Sequence, residues 1–301
     1  MKKGRRLALL LLFLAAAAGL VYARGQVRST ALSPSTNLVV ITLGQDLNPQ
    51  EKQATLSYFK GMEGKSQVRY LQVSNQEERD TLAGLVDESL IGSRAISSAY
   101  VEMLGKDKGL EVQTDNITAI TPLMYASALT TAGIADARII AAAPFPVSGT
   151  AALTGIIKAF ESAQGVSLPP NAKDAAEREI AEAAKLGKKV GPQQAQKIIY
   201  EVKRQVIEKK VSDPVQIRVI ILDVSARLNV QLSEEDVEAL TQLMQRVASL
   251  NIDVKFLNDQ LRGLDRNLKE VSGAGRQISQ FLNQLMILLQ SWLQGLRNTW
   301  S

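Results

Sequence analysis

Ala137 to Glu161 read ARIIAAAPFPVSGTAALTGIIKAFE. The first part, ARIIAAAPFP up to Pro146, is a nearly continuous apolar run of strand length, broken only by Arg138. A run of that kind belongs to a strand covered on both faces. SGTAALTGIIKAFE, from Ser148 to Glu161, then spaces its apolar residues for a helix, with Ser148 placed as an N-cap. A buried strand that turns briefly and enters a helix is the building unit of layered α/β folds.

Toward the N-terminus the alternation repeats. LVVITLG (Leu38 to Gly44) is a short β-branched run and reads as a buried strand. Asn48, Pro49 and Glu51 then supply an N-cap, a proline at the first helical position and a capping-box acid, for a helix reaching about Lys60. QVRYLQV (Gln67 to Val73) alternates as a second strand, and Asn75 with Glu78 repeats the capping-box spacing. SRAISSAYVEML (Ser93 to Leu104) and LEVQTDNITAI (Leu110 to Ile120) flank GKDKG, a pattern that predicts a hairpin. Thr121-Pro122 starts a helix, LMYASALTTAG, that ends at Gly133. The expectation for residues 38–165 is an α/β domain with a mixed sheet and one hairpin.

Toward the C-terminus, GVSLPPNAK (Gly165 to Lys173) reads as a boundary, and an all-α helical domain is expected over residues 171–301. AKDAAEREIAEAAKLGKK ends near Gly187. Gly191-Pro192 opens a long basic-faced helix carrying Ile198, Ile199, Val202, Val206 and Ile207. Asp213-Pro214 caps the next helix. Ser233 with Asp236, and Leu232 with Val237 as a hydrophobic staple, start another. A heptad-like series then runs from Leu257 to Leu296, and Gly273 and Gly275 are expected to divide it into two helices.

The chain opens with KKGRR (Lys2 to Arg6), an apolar run from Leu7 to Val21, and small residues Val21 and Ala23 at the −3 and −1 places of a cleavage site. The run is shorter than the roughly 20 residues that cross a bilayer. Residues 1–23 therefore read as a signal peptide and residues 24–37 as a polar linker, giving an extracytoplasmic protein, secreted or held by an uncleaved segment. Lys2, Lys3, Arg5 and Arg6 are four of the 35 basic residues that face 30 acidic ones, so the remainder sits near +1. That balance gives no support to a nucleic-acid partner. The chain has no Cys and no His. Disulfides, cysteine nucleophiles, histidine bases and imidazole or thiolate zinc sites are excluded on those grounds. No cofactor motif is present, so none is expected.

Candidate site residues are few. Ser148, Gly149 and Thr150 lie between a strand and a helix, where free amides suit a phosphate or carboxylate. The G-x-G-x-x-G and G-x-x-x-x-G-K-[ST] fingerprints are missing there, and capping alone explains Ser148. Arg94, Ser98, Tyr100 and Glu102 share one parity of a strand, a polar row that lines a cleft or simply faces solvent at an edge. SYFK (Ser57 to Lys60) matches S-x-x-K without its companion motifs and carries little weight. Glu234, Glu235, Asp236 and Glu238 are explained by the helix dipole. The terminal stretch Arg276 to Trp300 has no acid and a wide apolar face. Its residues Phe281, Leu285, Leu289, Trp292 and Trp300 form a docking face for a partner or a membrane surface, or one side of an ordinary core helix.

VVITLGQDLNPQE, IGSRAISSAYVE and LTTAGIADARIIAAAPFPVSGTAALTGIIKAFE closely resemble the YpuA-like exported proteins of Gram-positive bacteria, domain of unknown function 1002. The resemblance runs from about Leu38 to Leu268 and includes LSEEDVEAL. It implies export and carries no activity or catalytic residues. The first functional reading is a non-enzymatic binding or interaction module at the cell envelope. Alternatives are an envelope hydrolase using carboxylates or Ser/Lys, and a membrane-associated structural factor docking through the C-terminal helix.

Overall fold

A computed structural model describes residues 38–59 and 67–261. The expectations for the signal segment, the linker, Lys60 and the terminal stretch 276–301 lie outside the described residues.

Five strands form one mixed sheet: β1 (Leu38–Gly44), β2 (Gln67–Val73), β3 (Ser98–Met103), β4 (Glu111–Ile117) and β5 (Ala137–Val147), in the order β2-β1-β3-β5-β4. β1 pairs parallel with β2 and antiparallel with β3; β5 pairs antiparallel with β3 and parallel with β4. Four strands thus run one way and β3 alone runs against them. The mixed sheet is as expected, but β3 and β4 are not hairpin partners. GKDKG reverses the chain, with Asp107 and Gly109 at positive φ, and β5 then inserts between the two strands. Arg138 pairs with Glu102 on one side and Glu111 on the other. The apolar β5 suits an interior place, and the polar EVQTDNI of β4 suits the edge.

The two faces of the sheet carry different cores. Val39, Ile41, Leu43, Tyr100, Ile140 and Ala142 cluster with Phe59 on the face covered by α1 (Pro49–Tyr58). Val40, Ala99, Val101, Ile139 and Ala141 lie on the other face in a far larger cluster. That face is covered by α2 (Asn75–Leu82), the short α3 (Glu88–Ile91), α4 (Pro122–Thr131) and α5 (Thr150–Gln164). Gly155 lets α5 approach closely, since a Cβ there would lie 2.4 Å from Thr42 Oγ1. Every residue of α4 from Leu123 to Thr131 is buried. A helix buried all round is one packed on two sides.

Behind α4 stands an all-helical region of α6 (Pro170–Val190), α7 (Pro192–Glu208), α8 (Pro214–Arg227) and α9 (Glu234–Ser249). Its apolar residues join the same cluster as the sheet. Asp213 caps α8, and Ser233 forms a full capping box with Asp236 at α9, as their spacing predicts. The basic face assigned to the Gly191-Pro192 helix is not a surface: Lys203 and Arg204 of α7 are buried, held by Glu179 and Glu201. Residues 254–261 are helical again, and Gln260 ties them to the sheet. Its backbone carbonyl accepts from the Leu110 amide at 3.0 Å, and its side-chain oxygen from the Asp136 amide at 2.9 Å.

Candidate functional site

The four co-directional strands end along one edge of the sheet, where ligands of open α/β folds collect. A cavity of about 280 Å³ lies there, lined by Glu78, Ile96, Ser97, Phe145, Ser148 and Thr150 among others. Three pieces of chain make it: the start of α2, the segment 89–97, and the turn from β5 into α5.

Segment 89–97 is fixed against the β1–α1 turn. The Arg94 guanidinium donates to the Asp46 carbonyl and to Glu51 Oε2, each at 2.7 Å, and the Ala95 amide donates to Asp46 Oδ2 at 2.8 Å. Glu51 accepts from the Asn48 amide in its capping box and from Arg94, and these bonds hold its carboxyl below the usual range. On the other side, Arg79 of α2 donates to the Gly92 carbonyl and pairs with Glu88.

The β5–α5 turn differs from the expected N-cap. Gly149, at φ +100°, is the capping position and makes no side-chain cap bond. The Ala152 amide is instead satisfied by Ser97 Oγ at 2.8 Å, reaching in from segment 89–97. Ser148 and Thr150 both bond the Leu90 carbonyl, at 2.6 and 2.9 Å, and lie 2.9 Å from each other. Gly149 faces inward: a Cβ there would lie 2.5 Å from Ile117 Cγ2 and 2.6 Å from the Tyr125 hydroxyl, which donates to its carbonyl. Ser148, Thr150 and Arg94 are therefore brought together at this cavity, whereas Gly149 is not among its lining residues. Tyr100 lies on the opposite face of the sheet, wholly buried, its ring 6.0 Å from that of Phe59. The row it belongs to sits on an interior strand, not an edge. Phe281, Leu285, Leu289, Trp292 and Trp300 lie outside the described residues.

Glu78 is the residue that sequence reasoning missed. The capping box of α2 is Ser74 with Glu77, one residue earlier than the Asn75–Glu78 pairing expected. The shift turns Glu78 inward, where it is 1% exposed and lines the cavity. Desolvation raises its carboxyl to about 7, opposed by the Thr150 hydroxyl, the Asn75 amide and the Arg79 charge. The signal was present in S-N-Q-E, Ser74 to Glu77, which is the favoured S-x-x-E form of the box.

A second polar cluster joins α4, α6 and α7. Lys203 Nζ donates to Ser127 Oγ and to Glu179 Oε1, each at 2.7 Å, and to Thr131 Oγ1 at 3.1 Å. Ser127 and Thr131 in turn donate to Glu179. Burial lowers the Lys203 pKa and Glu179 pulls it back up. A serine beside a lysine has the parts of a nucleophilic dyad. With Lys203 wholly buried and Ser127 nearly so, no substrate reaches it, and the cluster pins three helices together. Ser57 of the S-x-x-K match donates to the Ala54 carbonyl and is exposed.

A larger cavity of about 570 Å³ lies where the end of α4, the start of α6 and residues 249–256 meet. Among the described residues, Asp253 is its one charged lining residue. The 280 Å³ cleft is the stronger candidate because hydroxyls and a perturbed carboxyl converge in it. Among the described residues, no three acidic side chains group as a metal site, and no helix is long and apolar enough to cross a membrane.

No solved structure matches this chain. It is 37% identical over 224 residues to the Uncharacterized protein YpuA of Bacillus subtilis (strain 168), covering 74% of this chain and 76% of that one. The family described as Protein of unknown function (DUF1002) matches residues 43–264, which run from the end of β1 through the other four strands, the cleft and the helices behind it, and the chain belongs to that family.

Proposed function

We propose that this chain is an extracytoplasmic binding module of the cell envelope, and that its ligand is a small, hydroxyl-rich, uncharged molecule held in the cleft of Glu78, Ser148 and Thr150. Export is supported by the basic start KKGRR, the apolar run Leu7 to Val21 and the small residues at its exit. A fold without cysteine asks nothing of an oxidising compartment and is held by packing.

One observation carries the ligand class. The start of α5, which by itself suits an anion, already faces the protein's own Glu78 carboxyl. Arg94, the cation at the same cleft, is already paired with Glu51, so an entering phosphate meets the Glu78 carboxyl, whereas a ligand hydroxyl donates to it. Phe145, 39% exposed, lines the same cleft and offers an apolar surface to the carbon framework of such a ligand. Two-carboxylate hydrolysis needs a pair of acids across the ligand. Among the described residues, Glu78 is the one carboxylate lining this cleft.

A melting-temperature panel of uncharged sugars and polyols, set against phosphates and nucleotides, tests the reading. A ligand at 100 times its Kd adds about 2.7 kcal/mol. That corresponds to roughly 5–10 °C for a chain of this size. The expected result is a shift with a member of the uncharged set that is lost in Phe145→Ala. A shift with phosphates alone contradicts the proposal.

A further inference from the structure

Two hydroxyls of the β5–α5 turn close on one backbone oxygen. Ser148 Oγ donates to the Leu90 carbonyl at 2.6 Å, and Thr150 Oγ1 donates to it at 2.9 Å. Leu90 belongs to α3, and residues 89–93 form one wall of the cleft. Val86 and Ile91 anchor this segment in the core, so polar ties set how tightly the stretch between them is held. The other ties are Arg79 to Glu88 and to the Gly92 carbonyl, and Lys188 to Asp87. Those ion pairs are solvent-exposed, and exposed pairs contribute little. The bonds to Leu90 lie inside the cleft.

Thr150 also faces the Glu78 carboxyl. A hydroxyl carries one proton and donates once. While Glu78 is protonated, its O–H donates to Thr150 Oγ1, and the Thr150 proton stays on the Leu90 carbonyl. Once Glu78 ionises, a charged acceptor competes for that proton, and bonds to charged groups are the stronger ones. We propose that Glu78 and Thr150 form a proton-operated latch on the cleft, closed on α3 when the carboxyl is protonated and released when it is ionised. The Glu78 proton passes to water, and the Thr150 hydroxyl changes acceptor from Leu90 to the carboxylate. Ser148 remains on Leu90, so the segment loosens without leaving its place.

Burial puts the change at about pH 7. Asp46, from the β1–α1 turn, disfavours ionisation, while Asn75 and Arg79 of α2 favour it along with Thr150. Tyr125 of α4 keeps its hydroxyl on the Gly149 carbonyl, and Arg94 in the cleft wall is paired with Glu51. Both are committed elsewhere, which leaves Thr150 as the hydroxyl that answers the new charge. The latch rests on reading this cleft as a binding site. Its test uses no ligand, so a failed latch and a failed ligand panel are separate results.

The Leu90 and Gly92 amides donate to the Asp87 and Glu88 carbonyls, each at 2.8 Å. Their hydrogen-exchange protection factors, with the intrinsic effect of pH removed, report the opening of α3. The experiment compares the full chain at pH 6 and pH 8. The expected fall in protection is about five-fold, the worth of one hydrogen bond. Glu78→Gln, whose amide donates to Thr150 at either pH, keeps the higher value throughout. Thr150→Val gives the lower value at both. Ser148→Ala lowers protection and keeps its dependence on pH. Circular dichroism of each variant confirms the fold. Equal protection at the two pH values in the parent overturns the latch. So does a fall that persists in Glu78→Gln, which assigns it to another group such as Glu177, a carboxyl also raised to about 7. A fall that survives in Thr150→Val removes the hydroxyl from the device and overturns it as well.

Discussion

Glu78 shows how one residue of register decides what a side chain does. Reading the cap at Asn75 makes Glu78 a surface acid; the Ser74–Glu77 box makes it the buried carboxyl of the cleft. Its raised pKa has a definite sign in stability. The folded state holds the proton more tightly than the unfolded chain, so the stabilisation is complete below about pH 4.5 and is lost as pH rises through about 7. Glu177 of α6, raised to about 7 by desolvation and then by Asp174, adds to the same trend. Glu78→Gln isolates the first contribution. Relative to the parent it should be near neutral at pH 4.5 and gain on the order of 3 kcal/mol by pH 8. Urea denaturation at the two pH values measures the difference, and a gap that does not grow with pH contradicts the assignment. Gly149 was legible as a turn residue but not as an inward one. At φ +100° with Ile117 and Tyr125 against it, Gly149→Ala should cost about 2–4 kcal/mol in the same assay.

At the scale of elements, local signals were read well because their chemistry is local. Asn48 with Glu51, Thr121-Pro122, Asp213-Pro214 and Ser233 with Asp236 all cap the helices they were expected to cap. Strand order was not legible. The turn GKDKG says that the chain reverses, and nothing in it says that β5, beginning at Ala137, will come to lie in between. The polar face of α7 misled for a similar reason. A lysine in a helix reads as solvated until a second helix brings a partner, and Glu179 lies on α6. Removing one member of that buried pair leaves the other charged and unpaired. Glu179→Leu should therefore cost about 3–5 kcal/mol. The double variant Glu179→Leu, Lys203→Met should recover a large part of that loss. Chemical denaturation of the two single variants and the double closes the cycle, and strict additivity contradicts the pairing.

For the whole molecule, the legible part was the class: a mixed sheet with helices, followed by an all-helical region. What the sequence did not disclose is that one apolar cluster runs through α4 from the sheet into the helices behind it. This follows from α4 being buried on all sides, a property of tertiary packing that a short apolar run does not by itself disclose. The same packing places segment 89–97, α2 and the β5–α5 turn at one edge of the sheet, and so creates the cleft from residues far apart in sequence. Ser148, Thr150 and Arg94 were readable as polar residues at strand ends. Their convergence on Glu78 and Phe145 was not. The most direct test of the account is amide hydrogen exchange with and without the sugar or polyol that most raises the melting temperature. The account predicts slowed exchange in residues 89–97 and 148–153. Protection confined to the 570 Å³ cavity near residues 130–133 and 249–256, or a panel in which no uncharged ligand binds, would contradict it.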